Sequence, residues 1–175
     1  ARAGVGASVG TGTDERIAAT APLADLMVGA DAIRADEARH GRIPERALVC
    51  IRTGWAAARY GSAAAYYNAT DEGDVDPYLG LPRMRFPGLT PEAAKLLVLE
   101  RGAVGVGIDT LSPDGGGGAT AGFPAHHVIL GNDRYILENL HLPDALPPRG
   151  ATAFVSPLNV EGAPEAPVRV WAVVP

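Results

Sequence analysis

The sequence predicts a mixed α/β domain, and three observations support that prediction. A continuous apolar run of strand length, residues 48–52, ends at Thr53-Gly54. A helix begins at residues 90–92, where a threonine suits the N-cap and a proline the first helical position, and it ends at Gly102. Residues 104–108 then predict a second buried strand, whose glycines allow close packing against it.

The other predicted elements are shorter or less regular. The bounds of these elements follow from three kinds of signal: a glycine at a helix end, a loop rich in proline, and an apolar run of strand length. We expect a helix over 33–40, a long surface loop over 71–87, a mobile glycine loop over 115–118, closing strands over 152–158 and 168–174, and no helical period in the glycine-rich residues 1–14.

Composition and charge narrow the class of protein. The 175 residues are 47% hydrophobic and 20% charged, which is typical of one globular domain, taken as residues 1–175. The formal net charge is -5 and the basic residues are scattered singly, so nucleic acid is not expected as a partner. No stretch approaches the roughly 20 apolar residues that cross a bilayer. No signal-peptide pattern is present either, so we expect no membrane partner and a cytoplasmic location.

The candidates for chemistry lie mostly in the C-terminal half. Asp109, His126, His127 and Glu138 are close to the ends of predicted elements. Imidazole and carboxylate groups are the usual ligands of zinc or manganese, which can leave an open position for an activated water. His126 and Glu138 lie twelve residues apart on consecutive short elements joined by a Gly-Asn turn, so they could converge. On these residues alone, an ordinary surface His–Glu pair is the commoner explanation.

Three motifs give the candidates a context. The first is Phe86-Pro87-Gly88, and the second is the run Gly-Ile-Asp-Thr-Leu-Ser-Pro-Asp over residues 107–114. The third is His126 together with the run Glu-Asn-Leu that begins twelve residues later at Glu138. Together with the segment around the Arg-Thr-Gly-Trp turn at 52–55, they make residues 37–174 resemble the metal-dependent cyclase family. That family includes bacterial kynurenine formamidases and isatin hydrolases.

The resemblance implies a fold and a set of site residues. The fold is a central β-sheet or barrel-like core with flanking helices, of the swivelling β/β/α type. His126 and Glu138 match the family's late metal ligands, so a divalent metal, zinc or manganese, is the implied cofactor. Asp109 matches a supporting position in the active site, and His127 is an additional helper. A small-molecule substrate and a homodimer or higher homo-oligomer are also implied.

The N-terminal motif departs from the family pattern, H-x-G-T-H-x-D-x-P-x-H. Its best match is residues 8–18, where Gly10, Thr11 and Asp14 agree. By this resemblance Asp14 is a third metal ligand. Ser8 and Gly12 stand in the positions of the two ligand histidines, Arg16 in that of the proline, and Ala18 in that of the acid/base histidine. The family has further sequence around this motif, so the N-terminal part is expected to be eroded or incomplete.

Two functions of different class follow. The first is a metal-dependent hydrolase of the kynurenine-formamidase type, which attacks an amide or lactam C–N bond with a metal-activated water. Without the acid/base histidine its rate should fall by about 10²–10⁴-fold. The second is a metal-free relative, either a pseudoenzyme, a binding protein or a repurposed biosynthetic cyclase. The replaced ligands favour the second function, and the retained His126 and Glu138 favour the first.

Overall fold

A six-stranded mixed sheet forms the centre of the protein. The computed structural model describes residues 3–10, 23–70, 73–77 and 79–175, and for residues 3–10 it describes the backbone. The strands of the described part are β1 (Ala3–Gly10), β2 (Met27–Val28), β3 (Leu48–Arg52), β4 (Gly88–Leu89), β5 (Gly105–Ile108), β6 (Tyr135–Leu137), β7 (Thr152–Pro157) and β8 (Val168–Val173).

Short helices connect these strands. They are α1 (Ala30–His40), α2 (Trp55–Arg59), α3 (Ala63–Tyr67), α4 (Pro91–Lys95) and α5 (Pro124–Leu130). A 3-10 turn, Leu23–Asp25, precedes β2, and a π-helical segment, Leu96–Glu100, continues α4. None of the helices in the described ranges is long and apolar enough to cross a membrane.

The strand order brings the ends of the parallel strands together. In the large sheet the order is β6-β5-β3-β1-β7-β8, and β2 pairs with β4 separately. Strands β6, β5, β3 and β1 run parallel, whereas β7 and β8 are antiparallel to their neighbours. The mixed α/β prediction is confirmed, and the described strands form an open sheet with β6 and β8 at its edges rather than a closed barrel. The carboxyl ends of β3, β5 and β6 therefore lie along one edge.

Strand β3 separates two apolar cores. Alternate residues of a strand point to opposite faces, so Val49 and Ile51 pack with the helices α1, α4 and α5. Leu48 and Cys50 face the other side, toward β6, β7 and β8. All four side chains are buried. Because both faces of the sheet are covered near β3, the strand has the continuous apolar character that made it predictable.

Helix α4 begins as its sequence predicts. The Thr90 hydroxyl accepts a hydrogen bond from the Ala93 amide at 3.2 Å, and Pro91 occupies the first helical position. The chain leaves the π-helical segment through Gly102, which has a positive φ of 65°. This left-handed conformation favours glycine, which explains why the helical run ends there.

Three glycines of the run at 115–118 are closely packed, and Gly117 has open space around it. A Cβ at Gly116 would collide with the backbone of Met84, and one at Gly88 would collide with the backbone of Gly115. The run was expected to be a mobile loop because glycine is common in such loops. The structure shows instead that two segments of backbone touch here, and only glycine leaves room for that contact.

Strand β1 was not predicted. It lies between β3 and β7, with Ser8 opposite Cys50 and Val9 opposite Ile51 in the parallel register. Its sequence, AGVGASVG, contains mostly glycine and alanine, which are uncommon in strands. Its neighbours in the sheet therefore determine the strand more than its own residues do.

Candidate functional site

Three polar residues follow three neighbouring parallel strands at one edge of the sheet. Thr53 follows β3, Asp109 follows β5 and Glu138 follows β6. His126 lies in the first turn of α5, which packs beside β6. The carboxyl edge of parallel strands is where α/β proteins commonly bind ligands, because the loops there can converge.

His126 and Glu138 meet at this edge. The Nε2 atom of His126 lies 3.6 Å from Oε1 of Glu138. Both side chains are mostly buried, with 29% and 24% of their surface exposed. Two ligands of a tetrahedral zinc ion, each about 2.0–2.2 Å from the metal, lie roughly 3.4 Å from each other. The observed separation is therefore close to that of two ligands of one cation.

A buried carboxylate holds the other nitrogen of His126. Nδ1 lies 2.5 Å from Oδ2 of Asp114, whose side chain is fully buried. Asp114 also accepts hydrogen bonds from the backbone amides of Ala125 and His126, at 2.5 and 3.2 Å. Asp114 was not predicted as a site residue. Its place as the last aspartate of the 107–114 motif was the signal that could have indicated it.

Glu138 titrates unusually high for a carboxyl group. Burial raises the pKa of Glu138 to about 7, the charge of His126 opposes this rise, and the charges of Glu165 and Asp114 add to it. The hydrogen bond to Asp114 raises the pKa of His126, while burial lowers it. Glu138 can thus exchange a proton, or replace it with a cation, near neutral pH.

His126 and Glu138 also line a cavity of about 250 Å³. Most of its other wall is apolar or backbone. The lining side chains that give it this character are Leu79, Pro82, Met84, Phe86, Leu111 and Phe123, with Asp76 and Ser112 as polar neighbours. A cavity with apolar walls and a few convergent polar groups is the usual form of a small-molecule site.

Asp109 makes contacts outside this cavity. Its Oδ1 accepts hydrogen bonds from the amide and hydroxyl of Thr53 at 2.8 and 2.7 Å, and its Oδ2 accepts one from the Gly54 amide at 2.9 Å. The side chain is buried and does not line the cavity. Asp109 therefore fastens the turn between β3 and α2.

The remaining sequence candidates lie elsewhere. His127 is exposed and lines an open hollow with His126, Phe123 and Leu130, a hollow that Glu138 does not line. Asp14 lies outside the described residues. The structure thus brings His126 and Glu138 together on the wall of one cavity. His127 and Asp109 do not line that cavity.

Tyr66 was missed by the sequence analysis. Its hydroxyl donates a hydrogen bond to Oδ1 of Asn139 at 2.9 Å and lies 3.3 Å from the carbonyl of Asp109. Burial raises the pKa of Tyr66 to about 12, so the hydroxyl stays protonated. The Asn139 amide donates to the Thr110 carbonyl at 2.8 Å. These bonds fix the turn that presents Glu138. A tyrosine in an alanine-rich segment gave no signal of this.

The donor set can be tested against a divalent metal. An imidazole nitrogen and a carboxylate oxygen are donors that zinc and manganese accept. Within the ranges that the structure describes, no three His, Cys, Asp or Glu side chains group closely enough to hold a metal ion. His126 and Glu138 thus supply two donors of the types that such a metal accepts.

The fold and this edge define an α/β protein with a largely apolar cavity at the carboxyl ends of its parallel strands. The Cyclase family model, described as "Putative cyclase", matches residues 9–115, which is more than half of the chain. The chain therefore belongs to the cyclase family.

The chain is also similar to several isatin hydrolases. The chain is 35% identical over 153 residues to isatin hydrolase of Roseibium aggregatum, covering 86% of this chain and 54% of that protein. It is similar to isatin hydrolase A from Ralstonia solanacearum, with a TM-score of 0.79, 34% identity and coverage of 97% and 60%. An isatin hydrolase bound to the product analogue thioisatinate gives a TM-score of 0.73, 34% identity and coverage of 86% and 54%. The chain thus spans little more than half the length of these relatives.

Proposed function

We propose that the protein is a metal-dependent hydrolase that opens the C–N bond of a cyclic amide of the isatin type. The observation that carries the proposal is the approach of His126 Nε2 to Glu138 Oε1 at 3.6 Å on the wall of an apolar cavity. The relatives named for isatin hydrolysis support this substrate class. In the reaction, water adds to the carbonyl carbon, the C–N bond breaks, and the nitrogen gains a proton.

His126 and Glu138 would hold the metal, together with Asp14. Zinc or manganese suits these donors. When bound, such a cation activates a water and polarises the substrate carbonyl. Because burial raises the pKa of Glu138 to about 7, a cation there would compete with a proton for its carboxyl group.

The chain's other residues would orient the substrate and the ligands. The apolar wall, with Phe86 and Phe123, would hold the aromatic ring of a substrate and exclude water from it. Asp109 has a supporting role, since it holds the Thr53-Gly54 turn. We propose that His127 assists from the solvent side of His126, where both rings line the same hollow.

The proton that the leaving nitrogen needs has no obvious donor in the N-terminal motif. Ala18 stands where the family has its acid/base histidine. Water would then supply the proton, and the loss of a positioned acid typically costs about 10²–10⁴-fold in rate. We therefore expect slow turnover. We also expect a homodimer or higher homo-oligomer.

The test combines metal content with turnover. We expect the purified chain, dialysed against zinc or manganese, to retain metal and to hydrolyse isatin or N-formylkynurenine. His126→Gln and Glu138→Gln should lose both properties, because each removes one donor atom. His141→Gln and Glu161→Gln change the same residue types at exposed positions and serve as matched controls. Absence of bound metal and of turnover in the unaltered chain would contradict the proposal.

A metal-free relative that binds a small molecule is the second candidate. The observation that favours it is that the described residues bring two metal donors together rather than three. The same cavity would then bind an apolar ligand without converting it. Binding of isatin by a protein that holds no metal and gives no product would support this function.

A further inference from the structure

We infer that Asp114 is a positioning residue that sets the tautomer of His126. It directs the Nδ1–H toward itself and leaves the lone pair of Nε2 facing Glu138. The inference rests on the proposed function for its purpose, since a neutral imidazole binds a cation through such a lone pair. The tautomer itself can be measured whether or not a metal binds.

The contacts of Asp114 determine which nitrogen carries the hydrogen. An ionised carboxylate only accepts hydrogen bonds. Oδ2 of Asp114 lies 2.5 Å from Nδ1 of His126, so Nδ1 must be the donor of this bond. A neutral imidazole has one N–H, and its second nitrogen is then an acceptor. That second nitrogen, Nε2, is the atom that faces Glu138 at 3.6 Å.

The position of Asp114 is fixed by its surroundings. Its carboxylate accepts from the Ala125 and His126 amides, and its own amide donates to the Ser112 hydroxyl at 3.2 Å. A Cβ at Gly118 would collide with the Cβ of Asp114, so glycine there makes room for this side chain. The carboxylate is therefore held rigidly enough to orient the ring of His126.

Asp114→Asn separates the two roles of this side chain, which are to accept a hydrogen bond from the backbone of α5 and to accept one from Nδ1 of His126. Oδ1 can still accept from the Ala125 amide, which is the closer backbone donor at 2.5 Å, whereas the His126 amide at 3.2 Å loses its acceptor. In this orientation the new NH2 group replaces Oδ2 opposite Nδ1 and acts as a donor. Nδ1 then becomes the acceptor, so the hydrogen moves to Nε2 and the lone pair facing Glu138 disappears.

The experiment is nitrogen-15 NMR of the histidine rings in the metal-free full chain, at a pH where the ring of His126 is neutral. His126→Gln assigns the signals. We expect the Nδ1–H tautomer of His126 in the unaltered chain and the Nε2–H tautomer in Asp114→Asn. Asp144→Asn, a fully exposed matched control, should leave the unaltered pattern. An Nε2–H tautomer in the unaltered chain would overturn the inference even if Asp114→Asn failed to fold.

A zinc titration links the tautomer to the proposed site. We expect Asp114→Asn to weaken zinc binding by about 10–100-fold, the usual effect of losing a carboxylate behind a ligand histidine. Asp144→Asn should bind zinc as the unaltered chain does. If the tautomers are as expected but neither the unaltered chain nor its variants bind zinc, the positioning role stands and the proposed function fails. If zinc binds equally to Asp114→Asn, the positioning role is contradicted.

Discussion

The Tyr66 hydroxyl donates a hydrogen bond to Oδ1 of Asn139, the residue that directly follows Glu138. Asn139 has a positive φ of 56°, so the turn after β6 is held in a conformation that few residues adopt. A buried tyrosine from α3 thus stabilises the backbone that carries a candidate metal ligand. Geometry at the cavity depends on a residue more than 70 positions earlier in the chain.

Removing that hydroxyl should destabilise the protein. We expect Tyr66→Phe to lower the free energy of unfolding by about 0.5–1.5 kcal/mol, because Oδ1 of Asn139 and the buried carbonyl of Asp109 both lose their donor. Tyr67→Phe removes the same atom from a half-exposed neighbour and should change stability by less than about 0.5 kcal/mol. Urea unfolding of the two variants measures the difference. Equal effects at both positions would refute the anchoring role of Tyr66.

Asp109 should prove more important for the turn than for the cavity. We expect Asp109→Asn to cost about 2–3 kcal/mol of stability, because one of its charge-assisted bonds from Thr53 or Gly54 is replaced by two facing donors. Thermal unfolding beside Asp133→Asn, an exposed aspartate, gives the comparison. An unchanged unfolding temperature for Asp109→Asn would show that the turn does not depend on this carboxylate.

The ion pair between Glu37 and Arg101 predicts a pH dependence of stability. Arg101 Nε and Nη2 lie 2.8 and 2.9 Å from the two carboxylate oxygens of Glu37, and both side chains are about nine-tenths buried. The hydrogen bonds from Arg101 lower the pKa of Glu37 from its ordinary value of 4.5. The stabilisation is therefore complete above pH 4.5 and is lost as the pH falls through the lowered pKa.

Glu37→Gln tests this dependence. At pH 7 we expect the substitution to lower the free energy of unfolding by about 3 kcal/mol, because the buried guanidinium loses its bidentate carboxylate and keeps only the half-exposed Glu100. The difference from the unaltered chain should shrink below pH 4.5, where Glu37 gains a proton. Glu100→Gln, at a half-exposed partner of Arg34 and Arg101, should cost about 0–1 kcal/mol. A pH-independent effect of Glu37→Gln would contradict the ion-pair account.

The glycine run offers a matched pair of substitutions. A Cβ at Gly116 would meet the backbone of Met84, whereas Gly117 has open space around it. We expect Gly116→Ala to cost about 1–3 kcal/mol, as overpacking does, and Gly117→Ala to be close to neutral. Denaturant unfolding of the two single variants is sufficient. If Gly117→Ala were the more harmful change, close packing would not be the reason for the glycines.

Local chemistry made part of the fold predictable. The Thr90 cap, the glycine that ends the helical run and the apolar strand β3 each depend on neighbouring residues in the sequence, and each was predicted. Strand β1 depends on pairing with β3 and β7, which its glycines and alanines do not reveal. The close backbone packing of the glycine run was not predicted for the same reason, since its packing partner lies some 30 residues earlier.

In the candidate site, too, some residues could be predicted from the local sequence, whereas others depend on contacts between distant segments. His126 and Glu138 were singled out because their residue types suit a metal and because their motif resembles that of a family. Asp114 and Tyr66 act through the backbone and through other side chains. Their roles depend on distances between elements that are remote in sequence, so residue type alone could not indicate them. The site-forming contact of Asp114 appears only when α5 places His126 beside it.

Anomalous diffraction at the zinc edge, from crystals of the full chain grown with zinc, would show directly whether His126 and Glu138 share a cation. We predict a single strong peak about 2.0–2.2 Å from both His126 Nε2 and a carboxylate oxygen of Glu138. A zinc-loaded crystal with no peak between these two atoms, or with the metal held only at other residues, would contradict it.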